Sequence, residues 1–277
     1  LCTDNLSDPE IALPGDNFNT VLYTGTGATL SVTGVGFQPD MVWNKSRSAA
    51  LEHHLFDSVR GVTNYLSVSE ADAEATDVNS LTTFGSDGFT VGSSATDNQT
   101  SGLMVSWDWK AGGAPTADNS AGAGATPTAG SVKIDGSNLG SALAGSLAAI
   151  RISANTTAGF SIVRYTGTGS ETTVGHGLSS APELVIIKNL TSGGTAWQTG
   201  SDRLTSWLYH VALNETAAET SSDIFFGGDA PTASVFTIGT AGDVNTSTDR
   251  YIAYCFDSIE GYSKVGSYEG NNNADGT

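Results

Sequence analysis

An all-β fold, built as tandem β-sandwich domains of jelly-roll type with an irregular linker, is predicted by three observations. Apolar residues come in runs of roughly four to seven, bounded by Gly, Pro, Asn and Asp. Glycine reaches 34 of 277 residues, while charged residues are only 14%. A segment near the start of the chain also returns in its second half. Short runs between turn formers read as strands, and self-similarity reads as an array of like units.

The repeated segment is Phe18-Asn-Thr-Val-Leu-Tyr23-Thr-Gly-Thr-Gly27, which reappears as Phe160-Ser-Ile-Val-Arg-Tyr165-Thr-Gly-Thr-Gly169. A weaker version runs from Ser263 through Tyr268-Glu-Gly-Asn271. Each copy continues with a proline and a strand ending in lysine: Gly36-Phe-Gln-Pro39-Asp-Met-Val-Trp43-Asn-Lys45, and Gly177 through Pro182-Glu-Leu-Val-Ile-Ile-Lys188. A Phe-Thr pair follows in both, at Phe89-Thr-Val-Gly92 and Phe236-Thr-Ile-Gly239. Closing aromatic strands come last, Leu103-Met-Val-Ser-Trp107-Asp-Trp109-Lys110 and Tyr251-Ile-Ala-Tyr254-Cys-Phe256. The expected organisation is a leader from an upstream domain at 1–16, a first sandwich at 17–111, a linker arm at 112–159, a second sandwich at 160–260 and the start of a third repeat at 261–277.

Helical periodicity is scarce, and its two candidates are 50–60 and 138–152. Residues 112–130 are nearly all Ala, Gly, Thr, Pro, Ser and Asn, too poor in large side chains to make a core of their own. Strand alternation resumes at Ser131-Val-Lys-Ile-Asp-Gly136. So long a connection is expected to be partly ordered and to contact a neighbouring subunit or unit. The chain begins with Leu1 and its third copy stops at Thr277, as expected of a piece of a longer polypeptide.

Composition also bounds function. The formal charge is −18 and the eleven basic residues are scattered, so nucleic-acid binding is not expected. No apolar run approaches the ~20 residues that span a bilayer, and membrane insertion is not expected either. Cys2 and Cys255 are too few for a disulfide framework, and Cys255 reads as a small buried hydrophobe.

Residues that carry chemistry are few. Glu52, His53, His54 and Asp57 gather ligand types, but adjacent histidines point apart, so no metal or cofactor is expected. His176 reads as a turn residue and His210 as a strand decoration. Ser86-Asp87-Gly88 and the stretch 271–276 read as turns rather than calcium loops. The sequence carries no nucleophile elbow, P-loop, dinucleotide fingerprint or zincin motif, and no catalytic residue is assigned. Trp107 and Trp109 alternate onto one sheet face, usually a core face. Exposed aromatics would instead stack on sugar rings, and Trp43, Trp197, Trp207 and Tyr209 are the candidate glycan contacts.

Several blocks together resemble a known family: Gly36 through Trp43-Asn-Lys-Ser-Arg47, His54-Leu-Phe-Asp-Ser-Val-Arg-Gly61, Leu81-Thr-Thr-Phe84-Gly-Ser-Asp-Gly-Phe-Thr90 and Trp107-Asp-Trp-Lys-Ala-Gly112. They are similar to a repeat module of virion proteins in tailed phages, notably marine ones. Leu1-Cys-Thr-Asp-Asn-Leu6 with Pro9 is similar to the linker after an upstream SPRY-like or lectin-like domain in such proteins. Tyr165-Thr-Gly-Thr-Gly, Tyr254-Cys-Phe256 and Glu260-Gly-Tyr-Ser-Lys264 resemble the companion module. The chain departs from the pattern at Asn44, where an aliphatic residue is expected, and at Gly85, where Asn is common.

The resemblance implies a structural virion component, a tail fibre, spike or other surface appendage contributing to assembly and attachment to host glycans. It implies a homotrimer as the common arrangement, together with contacts to other virion proteins. The alternative is a cell-surface or secreted bacterial adhesin of the same modules, and third comes a virion-borne glycan depolymerase.

Overall fold

The computed structural model describes residues 10–271. Among them are twenty strands, three helices of four residues each and a 3₁₀ turn at Pro14–Asp16. The fold is all-β, of sandwich type, as the composition predicts. No described helix is long and apolar enough to cross a membrane.

The first half holds β1 (Phe18–Thr24), β2 (Leu30–Thr33), β3 (Met41–Ser46), β4 (His54–Asp57), β5 (Asn64–Ser67), β6 (Ala75–Thr76), β7 (Leu81–Gly85), β8 (Gly88–Val91), helix α1 (Ala95–Asn98) and β9 (Leu103–Trp109). The connection adds β10 (Val132–Ile134), β11 (Ser137–Asn138) and β12 (Arg151–Asn155). The second half holds β13 (Phe160–Thr166), β14 (Thr172–Gly175), β15 (Leu184–Asn189), β16 (Gln198–Ser201), β17 (Tyr209–Ala212), β18 (Thr220–Ser221), α2 (Asp223–Phe226), β19 (Val235–Ile238), α3 (Gly242–Asn245) and β20 (Arg250–Phe256).

One large sheet runs β1-β9-β3-β4-β5-β6, and the other contains β13-β20-β15-β16-β17-β18 in the corresponding order. The second sheet is extended beyond β13 by β12, β10 and β11, all from the connection. Each half also carries a small sheet, β2-β8-β7 and β14-β19. Register fixes the equivalences: Phe18 opposes Trp109 as Phe160 opposes Phe256, and Met41 opposes Trp109 as Leu184 opposes Phe256. Tyr23 therefore corresponds to Tyr165, and Lys45 to Lys188.

The two halves are not separate beads. Met41, Leu55, Leu66 and Val68 of the first half meet Phe160, Ile162, Trp197, Ile252 and Tyr254 of the second in one buried cluster. Since strand neighbours point to opposite faces, the alternate residues of each large sheet build its own outer core. Val42, Phe56, Phe89 and Val91 pack in one, and Val163, Tyr165, Val185 and Phe236 in the other. The order is thus small sheet, large sheet, large sheet, small sheet. Each large apolar side chain in the central layer contributes about 1.5–3 kcal/mol by burial.

The repeated Tyr-Thr-Gly-Thr-Gly has a specific task. Tyr23 Oη donates to the Asp97 carbonyl at 2.6 Å, and Tyr165 Oη to the Val244 carbonyl at 2.7 Å, in helices α1 and α3. The next helical residue is Asn in both, and the Thr26 and Thr168 amides donate to Asn98 Oδ1 and Asn245 Oδ1 at 2.7 Å. The chain comes so close that a Cβ on Gly25 or Gly167 would lie 2.2 Å from a backbone oxygen. The motif is a clasp that ties the first strand of each half to the turn before its last.

Both predicted helices are absent. Residues 54–57 form β4, buried along its whole length between β3 and β5, so pairing on both sides overrides the local pattern. Of residues 138–152, 139–150 run irregularly between β11 and β12, with Gly145 at φ +106° and Gly145 and Leu147 bridged to Val174. Residues 112–130 form no strand or helix and are tied to the later part of the same connection. Asn119 N–H donates to Ile150 O at 2.9 Å, and Arg151 Nε lies 2.5 Å from Asp118 Oδ1. Residues 264–271 of the expected third repeat carry no strand, and its last residues, like Cys2, lie outside the described part.

Candidate functional site

Of the four aromatic residues predicted to touch glycans, two are interior. Trp197 is 1% exposed, stacked 6.5 Å from Tyr254, with its indole N–H donated to the Glu70 carbonyl. Trp207 is 7% exposed, edge-on to Phe226. Neither offers a ring face to solvent. Tyr209 is half-buried on β17. Trp43 is half-buried too, with Trp107 at 5.8 Å on one side and His53 at 6.1 Å on the other.

Trp43 and Trp107 are cross-strand partners on the face of the first sheet that meets the second. The same face continues outward through Thr20, opposite Trp107, and Leu22, opposite Val105. Leu22 and Leu103 are 60% and 46% exposed. Ile162 holds the position of exposed Thr20 in the second half and is wholly buried. The outer end of this face, with Thr20, Leu22 and Leu103, is therefore exposed, while Trp43 at its inner end packs against the central core and half-buried Trp107 lies between.

A cavity of about 770 Å³ opens where the first half and the connection converge. Its wall includes Asp16, Asn17, Gln38, Lys110, Asp135 and Asn155, with backbone from Gly36, Gly112, Gly113 and Gly136. Asn155 Nδ2 donates to Asn17 Oδ1 at 2.9 Å and so joins β12 to the first half at the cavity wall. Asp135 accepts from the Thr156 amide and hydroxyl at 2.8 and 2.6 Å. Asp40 accepts from Ser58 Oγ and from the Ala111 and Gly113 amides, and burial pushes its carboxyl above the usual range. Donors and acceptors at close spacing suit a hydroxyl-rich ligand.

The first half also has a polar interior that sequence reading missed. Asn44 Nδ2 donates to Tyr23 Oη at 2.7 Å and Asp97 Oδ1 at 3.1 Å. His54 Nδ1 lies 2.9 Å from Asp97 Oδ2, and Ser80 Oγ donates to that same oxygen at 2.6 Å. Because the serine turns to the carboxylate and not to the imidazole, the trio lacks the serine–histidine hydrogen bond of a nucleophilic serine. Asp108, fully buried on β9, accepts from Ser106 Oγ at 2.8 Å through Oδ2, while Oδ1 has no hydrogen-bond partner among the described residues. Burial raises the Asp108 pKa to about 7.

Registers place Ile187, Ala253 and Cys255 where the first half has Asn44, Ser106 and Asp108. The signal was Asn44, the very departure noted from the family pattern.

The residues considered for a metal diverge. His54 faces Asp97, His53 faces Trp43, and Asp57 binds Arg60 and Tyr254. The described residues hold no group of three or more His, Cys, Asp or Glu side chains placed for an ion. His176 is buried, bridging Thr232 O and the Leu178 amide, and His210 Nδ1 lies 2.9 Å from Gln198 Oε1.

The model of a family described as a domain of unknown function, DUF7483, matches residues 13–132 and 135–277, stretches that correspond to the two halves. Searches of curated proteins and of solved structures give no match. The chain belongs to the DUF7483 family.

Proposed function

We propose that this member of the DUF7483 family is a structural component of a tailed-phage virion, a tail fibre, spike or other appendage that attaches to host-surface glycans. The observation that carries the structural part is the fusion of two like sandwiches through one central core. Fused sheets resist bending where separate beads would not, and stiffness suits a projecting appendage. The resemblance of the Gly36–Arg47 and Trp107–Gly112 blocks to phage virion modules supports the placement. Copies of itself and other virion proteins are the expected partners.

Glycan attachment rests on the half-buried Trp43–Trp107 pair, which borders the exposed Thr20, Leu22 and Leu103. A ring face takes the apolar side of a pyranose, and such contacts are weak singly and strong in parallel. The polar cavity would add hydrogen bonds.

Immunogold labelling with antibody to the purified chain tests location: an appendage on tailed particles is the expected result, and label on cells without particles would instead identify an adhesin. Titration with bacterial surface polysaccharides tests attachment, with binding expected to fall at least about tenfold in W43A/W107A. Released reducing ends would turn the reading into that of a depolymerase.

A further inference from the structure

The two large sheets have four edges, and three end in strands of two residues: β6, β11 and β18. Short edges are one of the means by which β proteins avoid pairing with other chains. The fourth edge is β1, seven residues long, and among the described residues its only strand partner is β9.

The second half shows what such an edge takes. The equivalent strand β13 is covered by β12, antiparallel, with Arg151 opposite Arg164 and Asn155 opposite Phe160. Before β1 the chain instead turns at Pro14–Asp16, and Ile11 packs on Ala158 and Ile259. Apart from the β1–β9 ladder, residues 18–24 make no backbone–backbone hydrogen bond with a described residue. Alternate residues of a strand paired on one side turn their N–H and C=O groups away from the partner. Of these, the Thr20 N–H is held by its neighbour's Asn19 Oδ1 at 2.9 Å.

β1 also lacks the usual protections. Phe18–Thr24 contains no proline and no charged residue, and its ladder with β9 runs without a bulge. Leu22, 60% exposed, stands on it beside Leu103, 46% exposed. The absence of charge bears on the occupant: at a net charge of −18, like copies repel except through an uncharged patch.

We propose that β1 is a docking edge for β1 of a second copy of this chain, paired antiparallel about a twofold axis through Val21. The two six-stranded sheets then become one sheet of twelve. Thr20 faces the partner's Leu22, and Leu22 the partner's Thr20, so each exposed leucine is covered by a threonine and the flank of its own strand. The inference deepens the self-association in the functional reading but not the virion assignment, since immunogold location and solution mass are separate readouts. A twofold also differs from the trimer that the resemblance implies.

Sedimentation velocity on the 277-residue chain tests it, against a monomer mass of 28.3 kDa. A species of twice that mass is expected at high micromolar concentration. T20K/L22K puts like charges opposite each other at both pairs and is expected to weaken it at least about tenfold. T20K/L22E puts an ammonium opposite a carboxylate at both pairs and is expected to restore it. Both positions are solvent-exposed, so unchanged circular dichroism and melting are expected to show intact folding.

A trimer, a complex indifferent to both variants, or a monomer at about 0.5 mM would overturn the proposal. So would a monomer that binds a peptide of residues 150–156, because the edge would then belong to a foreign strand.

Discussion

Tyr254 donates its hydroxyl to Asp57 Oδ2 at 2.7 Å, across 197 residues of sequence, and so inserts a side chain of the second half into a buried ion pair of the first. Asp57 Oδ2 also lies 2.5 Å from Arg60 Nε, both side chains being wholly enclosed. Glu74 extends the network by facing Arg60 at 3.5 Å and Arg250, from the second half, at 3.8 Å. Arg60 Nη2 donates to the Leu55 carbonyl at 2.8 Å. A buried ion pair is costly unless its remaining donors and acceptors are met; Tyr254 and the Leu55 carbonyl meet two of them, while Arg60 Nη1 has no hydrogen-bond partner among the described residues.

Tyr254→Phe is therefore expected to cost about 1.5–3 kcal/mol, the range for a hydrogen bond to a charged group. The central core predicts that both halves unfold together. Urea denaturation followed by tryptophan fluorescence and by far-ultraviolet circular dichroism checks both points. Two resolved transitions in the wild type would contradict the shared core.

The clasp makes a paired prediction. Asn98 Nδ2 donates to the Gly92 carbonyl at 2.6 Å, as Asn245 Nδ2 does to Gly239 at 2.7 Å, while each Oδ1 accepts from a Thr amide at 2.7 Å. Asn98→Ala and Asn245→Ala each leave buried backbone groups unmet, at a cost of about 2–4 kcal/mol. Equal losses on thermal unfolding are expected, and a large loss at only one site would mean that the two clasps differ in kind.

Asp108 predicts a pH dependence. Its folded pKa of about 7 lies above its unfolded value near 3.8, so the folded state binds the proton more tightly. Its contribution to stability is full below about pH 4 and is lost as pH rises through about 7. The slope in that window is at most about 1.4 kcal/mol per pH unit. Asp108→Asn is expected to remove this share, leaving that of Asp40, whose carboxyl burial also raises. Denaturant midpoints of wild type and variant at pH 5 and pH 8 are the measurement, and parallel lines would reject the assignment.

Cys255 is fully enclosed in the second core, and burial pushes its thiol up to about 12. Its reaction with a disulfide reagent at pH 8 is expected to follow the opening of the second half, at a rate independent of reagent concentration when reagent is in excess. A fast second-order reaction at this residue in folded protein would show that the strand β20 is not held as described.

Much of the fold lay open in the sequence because it depends on local chemistry. Apolar runs between turn formers mark strands wherever they later pair, and Tyr23-Thr-Gly-Thr-Gly27 recurs at Tyr165 because the same clasp must close twice. Alternation at Trp107-Asp-Trp109 also placed both indoles on one face. Tertiary structure decided which face was buried, and against what. Trp197 reads like Trp43 in sequence, yet it is enclosed because the loop at Glu70 from the other half lies over it. His54–Asp57 became a strand because neighbours on both sides satisfied its backbone, which no window of local sequence contains. Asn44, Asp97 and His54 are 10 to 53 positions apart, and only the folding of the first sheet over α1 brings their polar atoms together, since hydrogen bonds depend on distance in space.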